Sequence, residues 1–435
     1  MRVAKSAFAA LALVVAAPAI AAPLSPAERG MIATVDAEQG RSLALLERLV
    51  NQNSGSMNLT GVEAVGRMIR AELEPLGFAV RWLPMRDTGR AGHLVAHHAG
   101  AKGGKRLLLI GHLDTVFEAD SPFQRFVREG DKGHGPGASD DKGGDVVIIA
   151  ALRAMQAAGT LKRADITVFL TGDEEDSGNP LAKARADLIA AGKVADAALD
   201  FEGLSIEDGK DMGVVARRGA TDWTLTVHAR PGHSSGVFSK AAGFGANYEL
   251  IRILDSFRRE LPDDKLTYNV GLIGGGGTAA HDADHIRLTA TGKTNIIAAE
   301  AVARGDLRAL TPGQLARTQA KMRAIVAAPL NGATSSIAFE DGYPPMAPTA
   351  GNRALLAALN GVNASLGLAP QLEIDPLKRG AGDISFVAAD VDGLVGLGPA
   401  STGDHTAEER VDIPSLWRQA KRAAILMSRL AASRR

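Results

Sequence analysis

Three carboxylates in a row, Asp173, Glu174 and Glu175, follow the apolar run 166-ITVFL-170 after only Thr171 and Gly172. Like charges this close raise one another's pKa. Either the side chains point into water on a loop, or a strong positive charge sits among them. Other residues with the same chemistry also stand just past apolar runs. His112 and Asp114 follow 106-RLLLIG-111 two residues apart, a spacing that in extended chain puts both side chains on one side. Asp140 and Asp141 lie in the glycine-rich stretch 134-HGPGASDDKGG-144, Asp200 and Glu202 in 199-LDFEG-203, and His405 in 398-GPASTGDHTAEERVDI-413. The chain has no cysteine, so a metal site must use His, Asp and Glu, a donor set that suits zinc, cobalt or manganese. Two such ions about 3.5–4 Å apart can share a bridging carboxylate and a bridging hydroxide. One of the adjacent glutamates then binds an ion and the other handles protons. Asp200 and Glu202 stay alternatives for one ligand, and Asp140 and Asp141 for the bridge. His93, His97, His98 and His134 match no motif and read as structural or exposed, and His281 and His285 as surface.

An α/β framework must bring these groups together. Helices are expected over 26–50 and 60–76, strands over 78–83, 92–98 and 106–111, a helix over 144–158 and a strand over 165–171. This β-α-β order implies a mostly parallel sheet with helices on both faces. Ligands of such sheets bind beyond the carboxyl ends of the strands, which is where the polar clusters fall. Near 213 the pattern changes. The segment 222-DWTLTVHA-229 alternates like a half-exposed antiparallel strand. A helix over 241–259, strands over 267–273, 285–291 and 300–308, a helix over 312–327 and a strand over 334–340 complete an inserted α+β domain. The glycine run 274–277 reads as a flexible turn. After 345 the α/β character returns, with a helix over 351–366, a short strand over 393–398 and a closing helix over 413–432. The division is therefore an α/β domain of 24–212 plus 342–435 and an inserted α+β domain of 213–341.

At 435 residues the chain is too long for one ordinary core. Acidic and basic residues balance at 49 each, so no overall field argues for nucleic acid or an anionic membrane. Arg2 and Lys5 precede the apolar stretch 7–21, which ends Ala19-Ile20-Ala21, the form of a secretory signal peptide over 1–21. Export to a periplasm or beyond the cell is expected, with no membrane span after processing.

With its motifs 112-HLDTV, 135-GPGASDDKGG, 173-DEE, Glu202 and His405 in this order, the chain resembles a di-zinc metallopeptidase family. That family comprises glutamate carboxypeptidase, acetylornithine deacetylase, succinyl-diaminopimelate desuccinylase and aminoacylase. The resemblance runs from about residue 40 to the end and is strongest to the glutamate carboxypeptidases. It implies two divalent metal ions, zinc first, with Asp140 bridging. His112 and Glu202 would each bind one metal, with which ion each holds left open, and Glu175 and His405 would complete the shells. Asp114 would hydrogen-bond the His112 imidazole, and Glu174 would be the general base. The peptide bond after the bridging aspartate would be cis. The inserted domain resembles the family's ferredoxin-like lid, which commonly dimerises. His233 in ARPGHSSG would reach across a homodimer to stabilise an oxyanion, and Asn295 and Arg308 would touch substrate. The loop 380-GAGDIS-385, with Gly380 and Asp383, matches a carboxylate-lining loop but departs from its G-G-T-D-A pattern. The implied activity is removal of a C-terminal amino acid from a small peptide or N-acyl amino acid. Its rivals are an N-acyl-amino-acid deacylase or dipeptidase, and outside enzymes a periplasmic amino-acid-binding protein.

Overall fold

The computed structural model describes residues 23–283 and 285–435; the signal peptide expected over 1–21 lies outside the described residues. Three helices open the described chain, α1 (Pro26–Ala37), α2 (Gln39–Asn51) and α3 (Leu59–Leu73). The single helix expected over 26–50 is broken at Glu38, which Asp36 and Gly40, both weak helix formers, flank. Strands β1 (Ala79–Pro84), β2 (Gly92–His98) and β3 (Arg106–His112) follow, then α4 (Lys142–Ala157), β4 (Asp165–Thr171) and β5 (Ala197–Asp200). The inserted unit carries β6 (Thr221–Ala229), α5 (Ala246–Glu260), β7 (Leu272–Gly276), β8 (Glu300–Arg308), α6 (Pro312–Val326) and β9 (Ala333–Phe339). The chain closes with α7 (Ala350–Ser365), β10 (Gly393–Leu394) and α8 (Ile413–Ala432).

The main sheet runs β1-β2-β4-β3-β5-β10. The β3–β4, β3–β5 and β5–β10 pairs are parallel, and β1 and β2 form an antiparallel margin. Leu107 to His112 of the central strand β3 are all buried, as a strand covered on both faces demands. One apolar cluster packs α1, α4 and α8 against one face; a second, with Ile110, Phe169, Leu188 and Ile384, covers the other. Register now does the positioning. His112 pairs with Thr171, and Ile110 pairs with Asp200. The segments leaving β3, β4 and β5 therefore emerge side by side at one end of the sheet.

The inserted unit has its own core. Its antiparallel sheet runs β7-β8-β6-β9 with α5 and α6 packed on one face, the β-α-β-β-α-β order of a ferredoxin-like fold. Trp223 meets Phe257 edge-on at 6.1 Å, a pairing that adds about 0.5–1.5 kcal/mol to simple burial. The glycine run corrects the turn expected there. Gly274, Gly275 and Gly276 belong to β7 and pair with β8, and the chain turns only at Gly277. A Cβ on Gly275 would stand 2.0 Å from Asn247 Oδ1 of α5, and one on Gly274 or Gly276 would stand 2.3 Å from Leu288 or from the Thr291 carbonyl, so these glycines admit the helix and the 288–291 strand. The strand expected over 285–291 starts only at Leu288, and of 393–398 only Gly393 and Leu394 join the sheet. The two chain crossings between the units pair with each other through Arg217 with Met346 and Ala220 with Tyr343.

Candidate metal centre and its pocket

The three consecutive carboxylates part company. Asp173 turns inward to Arg185, whose Nη1 donates to its Oδ1 at 2.6 Å while Nε donates to Asp383 at 2.8 Å; all three groups are buried. Removing one partner of such a buried pair typically costs about 3–5 kcal/mol. Glu174 and Glu175 turn the other way because the Asp114 carboxylate accepts their backbone N–H groups at 3.0 and 3.1 Å. The Ser56 hydroxyl also donates to Asp114, at 2.5 Å. Asp114 thus shapes the loop after β4 from the loop after β3. Its contact with His112 is shared: the imidazole Nδ1 lies 3.1 Å from the Asp114 backbone oxygen and 3.5 Å from its carboxylate.

The other nitrogen of His112, Nε2, lies 3.0 Å from Asp140 Oδ1, and His405 Nε2 lies 3.0 Å from Asp140 Oδ2. One carboxylate therefore spans two imidazoles, the disposition a bridging ligand needs. Glu175 closes the group, 3.2 Å from His405 Nε2. Donor atoms of His112, Asp140 and Glu175 all fall within 4.8 Å of one another. Hard and borderline donors converging this closely, without cysteine, fit a divalent cation such as zinc. The Asp140–Asp141 peptide is cis. The Asp141 carboxylate points elsewhere and is buried with no hydrogen-bond partner among the described residues, so Asp140 is the one presented to the histidines.

Charge explains how this crowd coexists. Burial works to raise the Asp140 carboxyl, yet His112 and His405 hold it well below the usual range. The Asp140 and Glu175 carboxylates push His405 up to about 11, and His112 is raised in the same sense by Asp114 and Asp140 against its burial. At Glu174 the pull of His112 is outweighed. Burial, then the nearby Glu202, raise it well above an ordinary glutamate, the direction expected of a group that exchanges protons near neutrality.

Glu174, Asp140 and His405 line a pocket of about 290 Å³, together with Glu202, Arg217, Arg379 and Gly380. Of the two acids after β5, Glu202 reaches this pocket. Asp200 stays buried, accepts the Glu202 N–H at 2.9 Å, and is pushed up to about 7 by burial and by Glu202. Asp383 does not line the pocket, since its carboxylate is held by Arg185 and Thr171. His233 and Asn295 are exposed neighbours on the inserted unit, linked where Ser234 N–H donates to the Asn295 carbonyl at 3.0 Å. Arg308 pairs with Asp306 at 2.7 Å on β8. None of the three lines the pocket.

Sequence reasoning missed Glu409, Arg217 and Arg379. Buried Glu409 accepts from the N–H groups of Gly137, Ser139 and Asp140 at 3.0, 3.0 and 3.2 Å, so it holds the loop that presents the bridge. Burial pushes it up to about 7. Its only signal was an acid four residues past His405.

A model of peptidase family M20/M25/M40 matches residues 108–429. Carboxypeptidase G2 of Pseudomonas sp. (strain RS-16) is 38% identical over 178 residues, a stretch that covers 40% of this chain and only 41% of that relative. Succinyl-diaminopimelate desuccinylase of Variovorax paradoxus (strain S110) is 25% identical over 400 residues, 86% of this chain and 94% of the relative. A tripeptidase from Staphylococcus aureus superposes with a TM-score of 0.70 at 19% identity, covering 91% of this chain and 99% of that one. A dinuclear metal-binding peptidase from Bacillus subtilis does so with a TM-score of 0.65 at 14% identity, covering 91% and 99%. These two likenesses speak to the fold, and the family match, over most of the chain, speaks to the chemistry. The protein belongs to peptidase family M20/M25/M40 and is a metal-dependent hydrolase of peptide or amide bonds.

Proposed function

We propose that the enzyme removes a C-terminal amino acid from a small peptide or N-acyl conjugate, with Glu174 as its general base. The observation that carries this is one pocket holding both the Asp140 bridge between two imidazoles and a half-buried glutamate on its wall with no ion pair among the described residues. His112, Asp140, Glu175, Glu202 and His405 would hold two divalent ions, zinc in the first instance with cobalt or manganese as alternatives. Bound there, the ions would polarise the scissile carbonyl and make a water acidic enough to attack. Glu174 takes the proton from that water and later passes it to the leaving amine. Asp114 fixes the His112 ring and the turn that aims Glu174. Glu409 keeps Asp140 in place.

The remaining parts of the proposal rest on the inserted unit and on the N-terminus. Tyr248 and Ile251 on α5 and Ile273 on β7 are exposed apolar side chains that favour pairing of two lids, which would bring His233 to a partner's pocket as an oxyanion donor. The leader-like segment supports export, and among the described residues no helix is long and apolar enough to cross a membrane.

The long alignment with a succinyl-diaminopimelate desuccinylase favours a second reading, deacylation of an N-acyl amino acid. Hydrolysis of folate-like, γ-glutamyl, acetyl-amino-acid and dipeptide substrates separates the two. The test of the shared mechanism is Glu174→Gln. The variant is expected to keep its metal by elemental analysis while hydrolysis falls by on the order of 10³-fold or more. Parent-like turnover would remove Glu174 from the role.

A further inference from the structure

The segment that carries Glu174 belongs to no helix and no strand. Residues 172–180 leave β4 as irregular chain, so their backbone groups need partners brought from elsewhere. From one side the Asp114 carboxylate accepts the N–H groups of Glu174 and Glu175. From another, the Tyr343 hydroxyl donates to the Glu174 carbonyl at 2.8 Å, and Arg185 Nη2 donates to the Asp173 carbonyl at 2.9 Å. Glu174 is thus gripped at its N–H and at its C=O by side chains from two distant segments.

The neighbours of Tyr343 fix the direction of its bond. A phenol has one proton to give. The Glu174 carbonyl can only accept, and Arg185 Nη2, 3.3 Å from the phenol oxygen, can only donate. With the proton committed to Glu174, Ser177 Oγ at 3.2 Å is left to donate to the phenol oxygen. Burial and the Glu174 and Asp383 carboxylates push the phenol well above its ordinary pKa, so it keeps that proton. The ring is seated too. It meets Phe386 at 4.9 Å between centroids. Pro344 follows it, which favours extended backbone at Tyr343, and there the chain pairs with Ala220. Tyr343 does not line the pocket that holds Glu174 and Asp140.

Resting on the hydrolase reading above, we infer that Tyr343 is a positioning residue for the general base. Its hydroxyl acts through the Glu174 backbone and touches neither substrate nor metal ligands. A carboxylate on irregular chain moves with the peptide that bears it, and a misplacement of about 1 Å at a reacting group costs on the order of 10²-fold. Tyr343 stands on the crossing that returns from the inserted unit, so the aim of the base is set from that junction as well as from Asp114.

The experiment is a double-mutant cycle. Zinc-loaded parent, Tyr343→Phe, Glu174→Gln and the double variant are compared on whichever of the folate-like, γ-glutamyl, acetyl-amino-acid and dipeptide substrates the parent hydrolyses best. Phenylalanine keeps a ring against Phe386 and removes the hydroxyl. In the parent background kcat is expected to fall about 10–100-fold, with KM and zinc content unchanged. In the Glu174→Gln background the same substitution should change kcat by less than about twofold, since a residue that acts through the base has nothing left to act through. A general loosening of the fold would lower kcat alike in both backgrounds, so the cycle separates it from positioning. An unchanged kcat in Tyr343→Phe, a loss carried by KM or by zinc content, or an equal fall in both backgrounds overturns the proposal while leaving Glu174 as the base. Parent-like turnover of Glu174→Gln alone overturns it through the reading on which it rests.

Discussion

The pocket is walled by two groups built on opposite terms. The histidine group hangs from strand ends and from a loop pinned by Glu409, and its three carboxylates, Asp114, Asp140 and Glu175, outnumber its two imidazoles. The arginine group hangs from the crossing between the two units and from the turn at 379–381, and there two guanidinium groups share one carboxylate. One surplus is negative and invites cations. The other is positive. The contrast teaches that a pocket of mixed charge need not be neutralised within each of its walls: the two surpluses stand side by side.

The sharpest way to break this division is to strike the residue common to both imidazoles. Asp140→Asn keeps the shape and removes the charge that His112 and His405 share. Zinc content should drop from about two per chain to below one, and hydrolysis should reach the detection floor. If the variant still holds two zinc ions, the histidine group is not where they sit. A smaller effect should follow from Glu409→Gln, which leaves the ligands intact but weakens the grip on the Gly137, Ser139 and Asp140 N–H groups. Zinc affinity should weaken about 10–100-fold. Unchanged zinc affinity would mean that the loop holds its form without Glu409.

The histidine group was largely legible in the sequence, and the arginine group was not. His112, the 173–175 acids and Glu202 each follow an apolar run, and parallel strands deliver such segments to one edge whatever lies between them. Asp140 and His405 stood out through glycine-rich surroundings and the company they keep. Arg217 and Arg379 carry no comparable mark. Nothing in the neighbourhood of an arginine in a loop tells whether it points to water or folds inward onto a glutamate 15 residues away in sequence, since that depends on where the crossing strands pair. Asp383 shows the reverse error. Its place in a familiar loop suggested a substrate contact, but Arg185 draws it into the interior. The inserted unit repeats the lesson. Alternation in β6 announced itself, because one face meets α5 and α6 and the other does not. The glycines of β7 imitated a turn, because the close approaches that require them come from helix α5 and the 288–291 strand, not from their own strand.

The gentlest probe of the contrast is pH. Without ions, His405 keeps its proton up to about 11, held by Asp140 and Glu175, and His112 is shifted in the same direction. An entering cation must displace those protons, because an imidazole binds metal only when neutral. The sign is then fixed. A ligand whose pKa lies above the working pH competes through its proton, so zinc affinity should rise as pH rises toward that pKa. The expected slope between pH 6 and 8 is about tenfold per unit for each proton released. Calorimetry in buffers of different ionisation enthalpy counts those protons directly. The two guanidinium groups keep their protons throughout this window, and Asp200 beside Glu202, pushed up to about 7, is the group on their side that titrates within it, so the pH effect there should be confined to about one proton and should not track zinc affinity. Zinc affinity independent of pH would show that the imidazoles are neutral before any ion arrives. The Asp140 contacts would then not be ion pairs, and the charge contrast between the two groups would lose its negative half.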